Sequence, residues 1–235
     1  MKIKGVITGD IIQSTRIKPE NKQLVLDTIR NTVYEMEKWS KMKLEIFRGD
    51  SFQIVIDNPY EAVRIAILIR AGLQKSTPEG SEIKWDARLA LGLGSVNFSQ
   101  EESVTESDGE AFRNSGWEFD ELGKRKLAIR TPWQNMNDEL KVSTAFADDI
   151  VSEWSVAQAQ AIYASLIHSK TQKEIAADLN TSPQNISKRI IAGKEYLIRP
   201  YLDRCKQIIT AKIQTDGIKS VSYTHLRAHE TDSYL

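Results

Sequence analysis

At 235 residues the chain is long for one minimal domain and comfortable for two small ones, and its 40% apolar and 27% charged content is that of a soluble globular protein. No apolar run reaches bilayer length and the single cysteine, Cys205, excludes an intrachain disulfide or a Cys-rich zinc site. The formal net charge of zero hides an acidic front, with 21 Lys and Arg against 25 Asp and Glu over residues 1–168, and a basic back, with 10 against 5 over residues 169–220.

The opening "MKIKGVITGD" has no signal-length apolar region or cleavage site, so a cytoplasmic protein is expected. Lys4 to Ile12 reads as a buried strand. Pro19-Glu20 opens a helix with Val25, Ile29, Val33 and Met36 on one face. Leu44 to Phe47 and Phe52 to Ile56 are two short strands, joined through Arg48-Gly49-Asp50-Ser51, a hairpin signal. Asn58-Pro59 caps and starts a second helix carrying Ala62, Ile65, Ala66, Ile69 and Leu73, which "STPEGS" ends. Ala87 to Leu93 is a fourth strand. "LGLGSVN" holds a Gly92-x-Gly94 pair without an ensuing helix pattern, which reads as a strand edge rather than a dinucleotide site. A helix follows Asp108-Gly109, and Leu127 to Arg130 reads as a fifth strand. "RTPWQNMN" with Pro132 marks a boundary between residues 1–133 and 134–220.

The order β-α-β-β-α-β predicts an α+β fold with a ferredoxin-like palm, followed by an all-α helix-turn-helix domain. In a split βαβ unit the first two strands are parallel and end at one edge of the sheet. Asp10 lies at the end of the first and Asp50 in the turn that ends the second, so their carboxylates are expected to meet. Held together unpaired they would repel, which a divalent cation relieves. Mg²⁺ or Mn²⁺ on one or two carboxylates with phosphate oxygens is a common arrangement, and "QST" at the strand-to-helix turn offers amides and hydroxyls to phosphate. Against this stands the plain alternative that Gly-Asp is ordinary turn chemistry and an Asp after a strand a simple cap.

"GDIIQST" is similar to the first motif of class III nucleotidyl cyclases, and "FRGDSFQIV" resembles their second, a Gly-Asp in a hairpin. The resemblance implies a two-metal site in which Asp10, Asp50 and the Ile11 carbonyl are metal ligands, and in which Ile12, Gln13, Ser14 and Thr15 hold the phosphates. It also exposes departures. The base-reading lysine's position is occupied by Ile46, and the transition-state Asn and Arg positions, counted from Gly109, hold Arg113 and Trp117. Asn114 is one residue off register, so Arg113 and Asn114 are weak catalytic candidates and little or no cyclase turnover is expected. With "DGEAFRNSG", the whole is similar to the SatD-like bacterial proteins.

"TQKEIAADLNTSPQNISKRI" is the most specific signal in the chain. Thr171 and Glu174 form a capping-box pattern, Ile175, Ala176 and Leu179 give the first helix a buried face, Ser182 caps the second and Pro183 starts it, with Ile186 and Ile190 buried. This is similar to the helix-turn-helix of sigma-factor-like DNA-binding domains. The resemblance places Gln184, Asn185, Ser187 and Lys188 toward base edges and Lys173, Arg189 and Lys194 toward phosphates. A packing or dimerisation hairpin is the alternative. His168, ending an apolar helical stretch, reads as a helix-end residue, and Cys205 as a small packing residue.

"VSYTHLRAHETDSYL", residues 221–235, resembles a translated sequencing adapter; it is set aside, and the natural C-terminus is expected to be missing. The joint reading is a DNA-binding regulator with a metal-nucleotide sensor domain, working as a homodimer on double-stranded DNA, with no membrane. Its partner on the front domain is a nucleoside triphosphate or other nucleotide. The alternatives are a divergent nucleotidyl cyclase or nucleotidyltransferase using two metals, and a non-catalytic scaffold.

Overall fold

The computed structural model describes residues 2–47, 49–97, 108–168 and 170–231, and for Asn97, Asp108 and residues 216–231 the backbone alone. Arg48 of the expected hairpin lies outside the described residues, as do residues 232–235 and the side chains of the rest of the set-aside segment.

Strand β1 (Ile3–Ile11) leads through a 3-10 turn (Ser14–Arg16) into helix α1 (Pro19–Glu35), then β2 (Met42–Phe47) and β3 (Ser51–Ile56). A second 3-10 turn (Pro59–Glu61) leads into α2 (Ala62–Lys75), then β4 (Ala87–Asn97), β5 (Asp108–Gly109), α3 (Glu110–Asp120) and β6 (Leu127–Arg130). The rest is helical: α4 (Gln134–Ser152), α5 (Val156–His168), α6 (Gln172–Asp178), α7 (Pro183–Ala192) and α8 (Glu195–Thr231).

The molecule is mixed α and β. Its sheet runs β2-β3-β1-β4-β5, with β6 beside β4. β1 is antiparallel to both β3 and β4, and β2 is antiparallel to β3, so β1 and β2 run the same way with β3 between them. The local chemistry follows the residues. The Asn58 side chain accepts from the Tyr60 amide and Pro59 opens the turn into α2. Gly49, at φ +79°, supplies the left-handed residue that the β2–β3 hairpin turn requires. Val25, Ile29, Val33 and Met36 are buried, as are Ala62, Ile65, Ala66, Ile69 and Leu73.

Gly92 and Gly94 are not at a strand edge. They lie inside β4, and a Cβ on Gly92 would stand 2.1 Å from the Ala111 carbonyl oxygen. These two glycines let α3 rest directly on the sheet, which a period-two pattern of apolar residues does not disclose.

The core does not divide at residue 133. One cluster of buried side chains joins Ile7, Phe52 and Leu89 of the sheet and Ile65 of α2 to Leu140, Trp154, Ile162, Ile198 and Cys205 of the helices beyond residue 133. A buried ion network crosses the same line. Arg70, fully buried on α2, donates from Nε and Nη2 to Asp86 at 2.9 and 2.8 Å and from Nη1 to Asp148 on α4 at 2.6 Å. Burial alone would raise the Asp86 carboxyl, but the charge and hydrogen bonds of Arg70 prevail and hold it below its ordinary value. α8 continues as helix through Val221 to Thr231, where the sequence offered no helical pattern. Among the described residues no helix is long and apolar enough to cross a membrane.

Candidate functional site

The end of β1 is where the sequence places its chemistry. Asp10 pairs with Ser51 of β3 and Arg88 of β4 in the sheet register. The Ile11 amide donates to the Asp50 carbonyl at 2.9 Å and the Ile12 amide to the Asp86 carbonyl at 3.0 Å. Asp10 and Asp50, forty residues apart in the chain, therefore meet at one end of the sheet.

Their carboxylates face different surroundings. Asp10 alternates with Ile11 along β1 and shares the face of Val6 and Thr8, the face on which α3 lies: Val6 packs with Ala111, and Thr8 Oγ1 is 3.0 Å from Ser115 Oγ. Both Asp10 oxygens are held by the Arg88 guanidinium, Oδ1 by Nε at 3.0 Å and Oδ2 by Nη2. The Arg88 guanidinium also lies over the Phe119 ring at 5.4 Å. The Asp50 carboxylate instead accepts from Ser14 Oγ at 2.7 Å and from Ser51 Oγ at 3.4 Å. It opens on a cavity of about 270 Å³ lined by Ile11, Ser14, Thr15, Ile17, Lys22, Val25, Gly49 and Asp50.

The backbone at this cavity is unusual. Gln13 sits in the left-handed region at φ 53°, ψ 37°, and the 3-10 turn of Ser14–Arg16 follows directly. A non-glycine residue there costs on the order of 1–2 kcal/mol. The Arg16 amide closes the turn on the Gln13 carbonyl at 2.8 Å. The amides of Ser14 and Thr15 open that turn and have no carbonyl behind them within it. Successive left- and right-handed residues turn neighbouring amides toward one point, the geometry of an anion-binding nest. Lys22, one turn into α1, brings a cation to the cavity wall.

The donor set fits one divalent ion in part. Asp50 and the hydroxyls of Ser14 and Thr15 are hard oxygen donors on one cavity, and Mg²⁺ is commonly held by one or two carboxylates with phosphate and water. It does not fit an ion on Asp10 while Arg88 keeps both oxygens. Among the described residues no group of three or more His, Cys, Asp or Glu is placed to hold a metal.

The remaining candidates scatter. Ile46 is half-buried on β2, in register with Phe52. Asn114 is buried and donates its Nδ2 to the Leu93 carbonyl at 2.8 Å, so it braces β4. Arg113 is exposed on α3, and exposed Trp117 lies beneath the Arg130 guanidinium at 5.4 Å. Sequence reasoning missed Arg88, Lys22 and Arg70. The signal for Arg70 was present, since it is a lone charge in the apolar face of "AVRIAILIRAGL".

Far from this site, α6 and α7 form as their caps dictate. Thr171 accepts from the Glu174 amide while the Glu174 carboxylate accepts from the Thr171 amide, and those hydrogen bonds draw the Glu174 carboxyl below its ordinary value. Asn180, left-handed at φ 48°, makes the turn, and Ser182 caps α7. Ile175, Ala176 and Ile186 pack with Ala161 of α5. Lys173, Gln184, Lys188 and Lys194 are exposed, whereas Ser187 and Arg189 are half-buried. Asn185 is turned back, donating its Nδ2 to Thr181 Oγ1 at 2.9 Å. His168 ends α5, 3.9 Å from the Glu35 carboxylate. Cys205 is buried, which pushes its thiol up to about 12.

No family model matches the chain, and no curated protein does. Among solved structures it is similar to the active GGEEF domain of a diguanylate cyclase from Vibrio cholerae, at 16% identity over 57% of this chain and 85% of that one, with a TM-score of 0.39. It is also similar to two structures of a bacterial light-regulated adenylyl cyclase. Each is 14% identical over 54% of this chain, covering 74% and 42% of the other chain, with TM-scores of 0.38 and 0.37.

Proposed function

We propose that the chain grips the phosphates of a nucleotide at the end of β1, on a ferredoxin-like palm of the nucleotidyl cyclase-like kind. One observation carries the reading: Ser14 and Thr15, directly after the left-handed Gln13, line a cavity together with Lys22 and Asp50. Backbone strain of this kind persists where the surroundings enforce it, and functional loops are where it collects. Fixed amides and one cation suit a polyphosphate; Asp50 would repel it unless a divalent ion lies between. Such an ion, held by Asp50, would neutralise the phosphate charge. Ser14 keeps the Asp50 carboxylate oriented, and Ile11, Ile17 and Val25 keep the cavity wall apolar.

Turnover is expected to be low. Ile46, Arg113 and Trp117 supply none of the base-reading or transition-state groups in the required places. Purified protein incubated with each nucleoside triphosphate and Mg²⁺ or Mn²⁺, followed by mass spectrometry, tests this. Binding without product supports a sensor. A cyclic or oligomeric product with release of pyrophosphate supports a divergent cyclase or nucleotidyltransferase instead.

A second reading, that α6 and α7 form a DNA-binding helix-turn-helix in a homodimeric regulator, is favoured by the caps of Thr171 and Ser182 and by the exposed Lys173, Gln184, Lys188 and Lys194. It predicts duplex binding that weakens steeply with salt through counterion release. Lys194→Ala should lower the salt slope by about one unit. Absence of binding at low salt would leave the two helices as a packing unit.

A further inference from the structure

The Asp10–Arg88 pair occupies the place where a second cation would be expected. The register sets Arg88 directly opposite Asp10 across β1 and β4, so the pairing is built into the sheet and does not depend on a flexible loop. The contact is bidentate, which satisfies both carboxylate oxygens at once. The Phe119 ring, 5.4 Å from the guanidinium, adds a cation–π contact to Arg88. Arginine stays charged throughout the working pH range, and pairing with Asp10 raises it further. A divalent ion at Asp10 would have to displace a guanidinium that is already matched to its ligand, and would then lie close to that displaced positive charge.

We infer that Arg88 is the built-in counter-cation of Asp10, so that the site takes at most one divalent ion, on Asp50, and removing Arg88 uncovers a second divalent site on Asp10. The guanidinium thereby does by covalent attachment what a second metal would do by binding. It adds no exchangeable ligand position, so the Asp10 side of the site can offer charge but cannot activate a water or hydroxyl by direct coordination.

This assignment deepens the phosphate site proposed above and rests on it for the Asp50 ion alone. The test counts Mn²⁺ bound per chain from the free-ion signal in electron paramagnetic resonance, for the wild type, Arg88→Met and Arg88→Met with Asp10→Asn. The wild type should saturate with no more than one ion, Arg88→Met should take up one more than the wild type, and the double variant should return to the wild-type count. Arg88 is partly exposed, with 41% of its side-chain surface accessible, so the fold tolerates the change. A wild-type chain that binds two ions overturns the inference without any variant. It is equally overturned if Arg88→Met gains no ion, or if the extra ion survives Asp10→Asn. Equilibrium dialysis of a nucleoside triphosphate against the same wild-type samples judges the phosphate site separately, since the Asp10 count does not depend on it.

Discussion

Asp86 and Arg88 are two residues apart at the start of β4, and each makes a bidentate arginine–aspartate pair, yet the two pairs do opposite things. Asp86 with Arg70 is buried: the side chains are 3% and 0% exposed, Asp148 of α4 takes the remaining arm of the guanidinium, and Lys126 Nζ, 3.7 Å from Asp86, adds a second positive charge. Asp10 with Arg88 is 22% and 41% exposed at the sheet end. The first joins the sheet layer to the helical layer, and through the Asp86 carbonyl it also holds the Ile12 amide just before the 3-10 turn. The second leaves its partners accessible to solvent and ligand. Burial, rather than the pair's chemistry, separates a structural lock from a site.

The largest expected effect breaks the buried member. Arg70→Met leaves Asp86 and Asp148 with only the partly exposed Lys126, 3.7 Å from Asp86, as a paired cation and should cost about 3–5 kcal/mol of stability, read from chemical denaturation. A loss near zero would mean the network is wet and the two layers are held by apolar packing alone. The pH dependence sharpens the same point. Arg70 depresses the folded-state Asp86 carboxyl, so its stabilisation is fully present above the ordinary value of 3.8 and is lost only as pH falls below that, through the folded value. Without Arg70, burial is opposed by the Ala87 amide and Lys126 but no longer by a guanidinium, so the carboxyl rises relative to the wild type, and the acid-unfolding midpoint of Arg70→Met should move to higher pH than that of the wild type. Arg88→Met should be the mildest, changing stability by about 1 kcal/mol or less, as exposed pairs do. A loss comparable to that of Arg70→Met would show that the two pairs are not different in kind.

Much of this was legible in the sequence because it is local. Pro19, Asn58-Pro59, Gly49, Thr171 with Glu174, and Ser182 with Pro183 each fix a boundary by a hydrogen bond or a backbone restriction within a few residues. That Asp10 and Asp50 lie at one end of the sheet was legible from topology, since parallel strands end at a common edge; that their carboxylates part there, one to Arg88 and the other to Ser14, was not. What could not be read was set by side chains meeting across the sheet or between layers. Nothing near Asp10 announces Arg88, because the pairing depends on the β1–β4 register. Nothing in "RTPWQNMN" shows that Asp148 on α4 will reach Arg70 on α2, so the expected boundary runs through a continuous core. The Gly92 and Gly94 signal was visible but ambiguous, because a glycine tolerates a close approach without saying what approaches.

The phosphate grip at the end of β1 is tested most directly by calorimetric titration with a nucleoside and its mono-, di- and triphosphates in the presence of Mg²⁺. Affinity should climb along that series, and Lys22→Gln and Asp50→Asn should each weaken triphosphate binding by about tenfold or more, the scale of one lost charge-assisted contact. Equal affinity for nucleoside and triphosphate, or unchanged triphosphate affinity in both variants, would contradict it.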